Sequence, residues 1–207
     1  MLESIVARSL TGFIHLLTGS RALWDAEPVP GRRVYYGNHA SHGDFVLLWS
    51  ALPPALRTRV RPVAAADYWR HGALRQYLIR RVFNGVLIER DAARRHEDPV
   101  RTMATAIEGG SGLILFPEGT RNTGEGVLPF KSGLYHLATQ CEGLEMVPVW
   151  LDNLKRVMPK GRVIPLPLLC TAHFGAPLRL AEGEDKQPFL DRARAALLAL
   201  APEEVAT

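Results

Sequence analysis

Between Asn38 and Asp44 the chain reads NHASHGD, placing two histidines, a serine and an aspartate in one short string. Two chemistries suit these residue types. His39, His42 and Asp44 are all metal-ligating groups, and three such ligands around an open position make a hydrolytic metal centre. The spacing is H-x-x-H-x-D, so the three would have to converge through loop geometry rather than from alternate positions of a strand. The second chemistry is proton transfer. A neutral His39 imidazole accepts a proton near physiological pH, and Asp44, bonded to its other nitrogen, fixes the tautomer and stabilises the imidazolium that forms. This is the base and orienter of a Ser-His-Asp arrangement without its nucleophile. Ser41 lies too close to His39 in sequence for that role and no G-x-S-x-G elbow occurs, so a substrate hydroxyl is expected to supply it. A third reading involves no chemistry: His39 and Asp44 close a strand-to-helix turn, with Asn38 and Ser41 as caps.

A strand over 33–37 feeds this string and a helix over 45–52, stopped by Pro53-Pro54, follows it. Further strands are expected over 60–65, 86–88, 112–116 and 146–151, with a later pair around Val163 and over 169–174. Helices are expected over 68–83, 94–108, 132–140 and 188–200. Strands alternating with helices predict an α/β fold: a single domain with a mixed, mostly parallel sheet flanked by helices. Leu2, Ile5, Val6, Leu10, Phe13, Ile14 and Leu17 recur at three- and four-residue intervals, which predicts an N-terminal amphipathic helix. Its apolar face would pack on the core or lie in a bilayer interface. Gly19, Pro28 and Pro30 mark a connector, dividing the chain into an N-terminal segment, 1–25, and a catalytic domain, 26–207.

Directly after the apolar GLIL run comes LFPEGTRN, Leu115 to Asn122. A sharp turn there presents Glu118, Thr120 and Arg121 at the carboxyl edge of the sheet, where α/β proteins commonly bind ligands. Arg121 suits bidentate contact with a phosphate.

Together the two strings resemble the glycerolipid and lysophospholipid acyltransferases, of the 1-acylglycerol-3-phosphate acyltransferase type, whose first block is N-H-x-x-x-x-D and whose third is F-P-E-G-T-R. NHASHGD at 38–44 and FPEGTR at 116–121 match in order and separation. GVLIERD at 85–91, VPVW at 147–150 and PFKSGLYHLA at 129–138 fall where the family has weaker blocks, so the resemblance covers about residues 30–155. It implies that His39, oriented by Asp44, deprotonates an acceptor hydroxyl that attacks the thioester of acyl-CoA or acyl-carrier protein, with no acyl-enzyme and no other cofactor. Backbone N–H groups beside His39 are candidate oxyanion donors. It also implies that Arg90, Arg121 and Lys131 hold the acceptor's phosphate, and that Glu118, Gly119 and Thr120 belong to the acceptor site, with Glu118 on a glycerol hydroxyl. The expected acceptor is a lysophospholipid, foremost 1-acylglycerol 3-phosphate, giving phosphatidic acid. The string departs from the family in carrying His42-Gly43 before the aspartate and Asp91 after Arg90.

The 207 residues carry a formal charge of +4, and between Arg57 and Arg95 ten arginines face only Asp67, Glu89 and Asp91. Such a field suits a nucleic acid, an anionic bilayer or a phosphorylated substrate. The stretch lacks any recognisable nucleic-acid motif, so a membrane surface is the expected partner and nucleic acid is not. No run of about twenty apolar residues occurs, and Glu3 spoils a basic secretory start, so the expected location is peripheral, at the cytoplasmic face of a membrane. Cys141 and Cys170 fit reduced core residues. A non-catalytic lipid-binding protein remains an alternative to the acyltransferase and to the metal-dependent hydrolase.

Overall fold

The computed structural model describes residues 2–41, 43–91, 93, 97–122, 124, 126–152 and 170–202. Seven strands form one sheet: β1 (Arg21–Trp24), β2 (Arg33–Gly37), β3 (Val60–Ala65), β4 (Val86–Ile88), β5 (Gly112–Leu115), β6 (Glu145–Asp152) and β7 (Thr171–Phe174). Their order is β1-β7-β6-β2-β5-β3-β4. Every neighbouring pair is parallel except β6 with β7, so the sheet is mixed and mostly parallel, as expected.

The centre of this sheet is dry because its strands are apolar on both faces, the mark of a parallel sheet covered by helices. All five residues of β2, RVYYG, are buried. Val34 and Tyr36 join one core with Leu113 of β5 and Met146 of β6, whereas Tyr35 joins the other with Ile114 and Val147. The first core is closed by α6 (Pro99–Glu108), α7 (Gly133–Gln140) and α8 (Lys186–Leu198). The second is closed by α2 (Asp44–Ala51) and, beyond it, α1 (Leu2–Thr18), whose Ala7, Leu10 and Ile14 pack inward.

Three elements differ from expectation. The basic helix over 68–83 is broken between α4 (Ala66–Trp69) and α5 (Ala73–Tyr77), because Gly72 adopts a left-handed φ of 84° that no helix continues through, and α5 runs on directly into a π-helical turn (Leu78–Val82). The helix expected from residue 94 begins at Pro99, where Asp98 caps it by accepting from the Val100 N–H at 3.0 Å and Pro99 needs no donor partner; residues 94–96 lie outside the described set. The connector after α1 contains edge strand β1, parallel to β7, with Trp24 stacked on Phe174 at 3.7 Å. Short α3 (Pro54–Arg57) follows α2. The strand expected around Val163 also lies outside the described residues. Cys141 and Cys170 are buried free thiols, and burial pushes Cys170 up to about 11.

Candidate active site

β2 ends at Gly37, so Asn38 and His39 leave the sheet at its carboxyl edge, and α2 begins five residues later with Asp44. This short return brings His39 Nδ1 to 2.8 Å from Asp44 Oδ2. The two side chains differ in access: that of His39 is 23 % exposed and that of Asp44 1 %. Asp44 Oδ2 also accepts the main-chain N–H groups of Ala40 at 2.6 Å and Ser41 at 2.8 Å. An ionised carboxylate so held is an acceptor only, so Nδ1 carries the ring proton and Nε2 keeps its lone pair. Phe116 lies almost flat against the imidazole, with centroids 4.5 Å apart and planes 20° apart.

The FPEGTR string leaves β5 beside this pair. Gly119 N–H bonds Phe116 O at 3.0 Å, closing a turn in which Gly119 has φ 68°. A Cβ at Gly119 would stand 2.7 Å from Cδ and Cε of Lys131, whose side chain crosses the turn. Glycine is therefore favoured by its backbone conformation, and a larger residue would also displace the end of the lysine side chain. Gly119, Thr120, Arg121 and Lys131 are all exposed, and Lys131 N–H is tied to Pro117 O at 2.9 Å. Glu118, by contrast, is 2 % exposed. Its Oε1 accepts the His39 N–H at 2.7 Å and its Oε2 the Leu128 N–H at 2.9 Å.

Arg90 stands just beyond β4 with its guanidinium on Asp67, at 2.6 and 3.3 Å. That hydrogen bond holds the Asp67 carboxyl below its ordinary value. Glu89 meets Arg70 at 3.5 Å. His42 lies outside the described residues, and among those described no group of three or more His, Cys, Asp and Glu is placed to hold a metal ion.

Among the described residues of the turn, the main-chain N–H groups of 39, 40 and 41 are taken by Glu118 and Asp44, and that of Gly43 by Ser41 Oγ at 3.2 Å. One expectation about the turn is corrected: Asn38 does not cap α2. Its carboxamide bonds both main-chain groups of Leu151 in β6, donating to the carbonyl at 3.0 Å and accepting from the N–H at 2.8 Å. Sequence reasoning gave no role to Phe116, Asn122 or Leu128; their shared signal is that they lie in or just beyond the FPEGTR string. A cavity of about 770 Å³ between β4 and α6, lined by Arg61, Leu87, Arg101 and Thr105, does not contain His39. The dyad instead opens directly to the sheet's carboxyl edge.

The fold is thus an α/β protein in which a partly exposed imidazole, backed by a buried carboxylate, lies beside an exposed glycine-containing turn that carries an arginine, with a lysine next to it. The family model described as Acyltransferase matches residues 24–152, and the chain belongs to that family. It is 28 % identical over 125 residues to a 1-acyl-sn-glycerol-3-phosphate acyltransferase of Haemophilus influenzae, covering 57 % of this chain and 47 % of that protein. It is 28 % identical over 159 residues to the protein of the same name from Cocos nucifera, covering 75 % of this chain and 49 % of the relative. The chain thus spans about half the length of these relatives. The crystal structure of the 1-acyl-sn-glycerophosphate (LPA) acyltransferase PlsC from Thermotoga maritima superposes with a TM-score of 0.71 at 20 % identity, covering 96 % of this chain and 79 % of that one, and shows the same fold.

Proposed function

We propose that this protein transfers a fatty acyl chain from a thioester donor, acyl-CoA or acyl-carrier protein, to the free hydroxyl of a lysophospholipid. The acceptor of first choice is 1-acylglycerol 3-phosphate, by analogy with the relatives' names, and the product is phosphatidic acid. The observation that carries this reading is the His39–Asp44 contact of 2.8 Å, with the ring reachable and the acid buried. His39 Nε2 takes the hydroxyl proton as the oxygen attacks the thioester carbonyl. The tetrahedral intermediate expels the thiolate, and the imidazolium returns the proton to it, so the products are an ester and a free thiol. Asp44 stays ionised and Phe116 offers its π face to the imidazolium. Arg121 and Lys131 suit the acceptor phosphate, the first bidentately and the second as a point charge. Arg90, paired with Asp67, can join them only by sharing or exchanging that partner.

The test is steady-state acyl transfer with each donor by the intact chain. His39→Ala and Asp44→Asn should each lower kcat by at least about a hundredfold, the scale of general-base catalysis. Near wild-type turnover in the His39 variant would falsify the mechanism, and loss of activity on chelation would favour the metal-dependent hydrolase.

A further inference from the structure

Glu118 is a carboxylate removed from water and held by main-chain donors alone. Both oxygens are engaged, one by His39 N–H at 2.7 Å and one by Leu128 N–H at 2.9 Å, and the residue is 2 % exposed. Burying a charge is costly unless hydrogen bonds replace its solvation, so these two bonds explain why the carboxylate is there. At 2 % exposure the carboxylate also has little surface left for a ligand to reach. The carbonyl of His39 is gripped from the same loop, accepting the Asn122 N–H at 2.7 Å. The main chain at residue 39 is thus fastened on both sides by the FPEGTRN string, 79 residues away at Glu118.

The chemistry of the acceptor points the same way. A 1-acylglycerol 3-phosphate has one free hydroxyl, and that hydroxyl must meet the His39 imidazole. No second hydroxyl remains for Glu118. We infer that Glu118 is a positioning residue that never touches the acceptor: by tying the His39 main chain to the loop at Leu128, it sets where the imidazole stands relative to the attacking oxygen. The inference rests on His39 being the base, as proposed above. Rates of oriented reactions fall steeply with displacements of about an ångström, so loosening this tie acts on turnover rather than on acceptor affinity.

Glu118→Gln keeps size and one acceptor oxygen but turns an amide NH2 toward the other N–H. In the full-length chain, with acceptor varied at saturating donor, it should lower kcat at least about tenfold while the acceptor KM stays within about twofold. Arg121→Ala, assayed alongside, marks the opposite response of a phosphate contact, a raised KM. A Glu118→Gln enzyme with raised acceptor KM and intact kcat overturns the inference. Should that variant not fold, Leu128→Pro removes one of the two donors without touching the carboxylate; Pro129 already confines residue 128 to extended backbone. Positioning predicts a reduced kcat there also, and unchanged kcat counts against it. His39→Ala separates the two readings. If it is inactive while Glu118→Gln alters only KM, the base assignment stands and only the role given to Glu118 fails.

Discussion

Asn38 joins two strands through one carboxamide. Its oxygen and nitrogen satisfy the N–H and carbonyl of Leu151, a residue 5 % exposed, and the next residue along the chain is the proposed base. Asn38→Ala leaves both Leu151 groups without a side-chain partner, at about 1–3 kcal/mol for each one that water cannot reach. The expected result is a lower urea midpoint together with a lower kcat, and an enzyme of full kcat with lowered stability alone would confine Asn38 to the fold. The His39–Asp44 pair was legible in the sequence because a strand, a turn and a helix start within five residues leave little choice of geometry. The partners of Asn38 and Glu118 were not, because each depends on which strands lie beside β2. Residues 38 and 151 are neighbours only once β6 pairs with β2 in the register Gly37 with Val149.

At the scale of elements, β2 and β6 are also fastened at their other ends, where Arg33 pairs with Glu145 in register and Arg179 approaches the same carboxylate at 2.8 Å. Burial raises the Glu145 carboxyl, but the hydrogen bonds and charges of Arg33 and Arg179 together outweigh it and hold it below its ordinary value. A carboxyl lowered in the folded state stabilises the fold above its unfolded value of about 4.3, and that contribution is lost as pH falls through the folded value. Glu145→Gln should therefore cost about 1.5–3 kcal/mol at neutral pH, the worth of bonds to charged partners, and progressively less in acid. Urea unfolding of both proteins from neutral pH to about pH 3 measures this; parallel curves would show that Glu145 does not couple to the fold. The buried strands β2, β5 and β6 were legible because they are unbroken apolar runs. β1 was not, since three of its four residues are exposed and its place is decided by pairing with β7 and by the Trp24–Phe174 stack. The break in the basic helix turned on one glycine, Gly72, whose positive φ the apolar spacing on either side of it does not announce.

Over the whole molecule, the arginine-rich stretch is less of a free positive field than its composition implies. Arg57 is turned inward, to the carbonyls of Ser50 and Leu52 and to Thr11 of α1, Arg61 donates to Asn84 O, and Arg70 and Arg90 are paired with acids. Arg59, Arg80 and Arg81 are exposed. The apolar residues of α1 are divided between core and exterior: Leu10 and Ile14 pack inward with Ala7, whereas Ile5, Phe13 and Leu16 are 54 %, 57 % and 83 % exposed. At about 100° per residue these three fall within about 80° of arc, on the side of the helix turned away from the core. Among the described residues no helix is long and apolar enough to cross a membrane. We therefore propose that α1 is held to the protein by one side and meets a lipid surface with the other, the exposed arginines adding about 1 kcal/mol each where they reach anionic headgroups. Phe13→Asp should weaken binding to vesicles containing anionic phospholipid at least about tenfold, since burying a phenylalanine contributes about 1.5–3 kcal/mol. Turnover of detergent-dispersed acceptor should not change, because Phe13 is exposed and bears no part of the dyad. Charge reversal at Arg80 and Arg81 should instead reduce the salt dependence of vesicle binding. Co-sedimentation of the Phe13 variant equal to wild type would place the lipid contact elsewhere than on this face of α1.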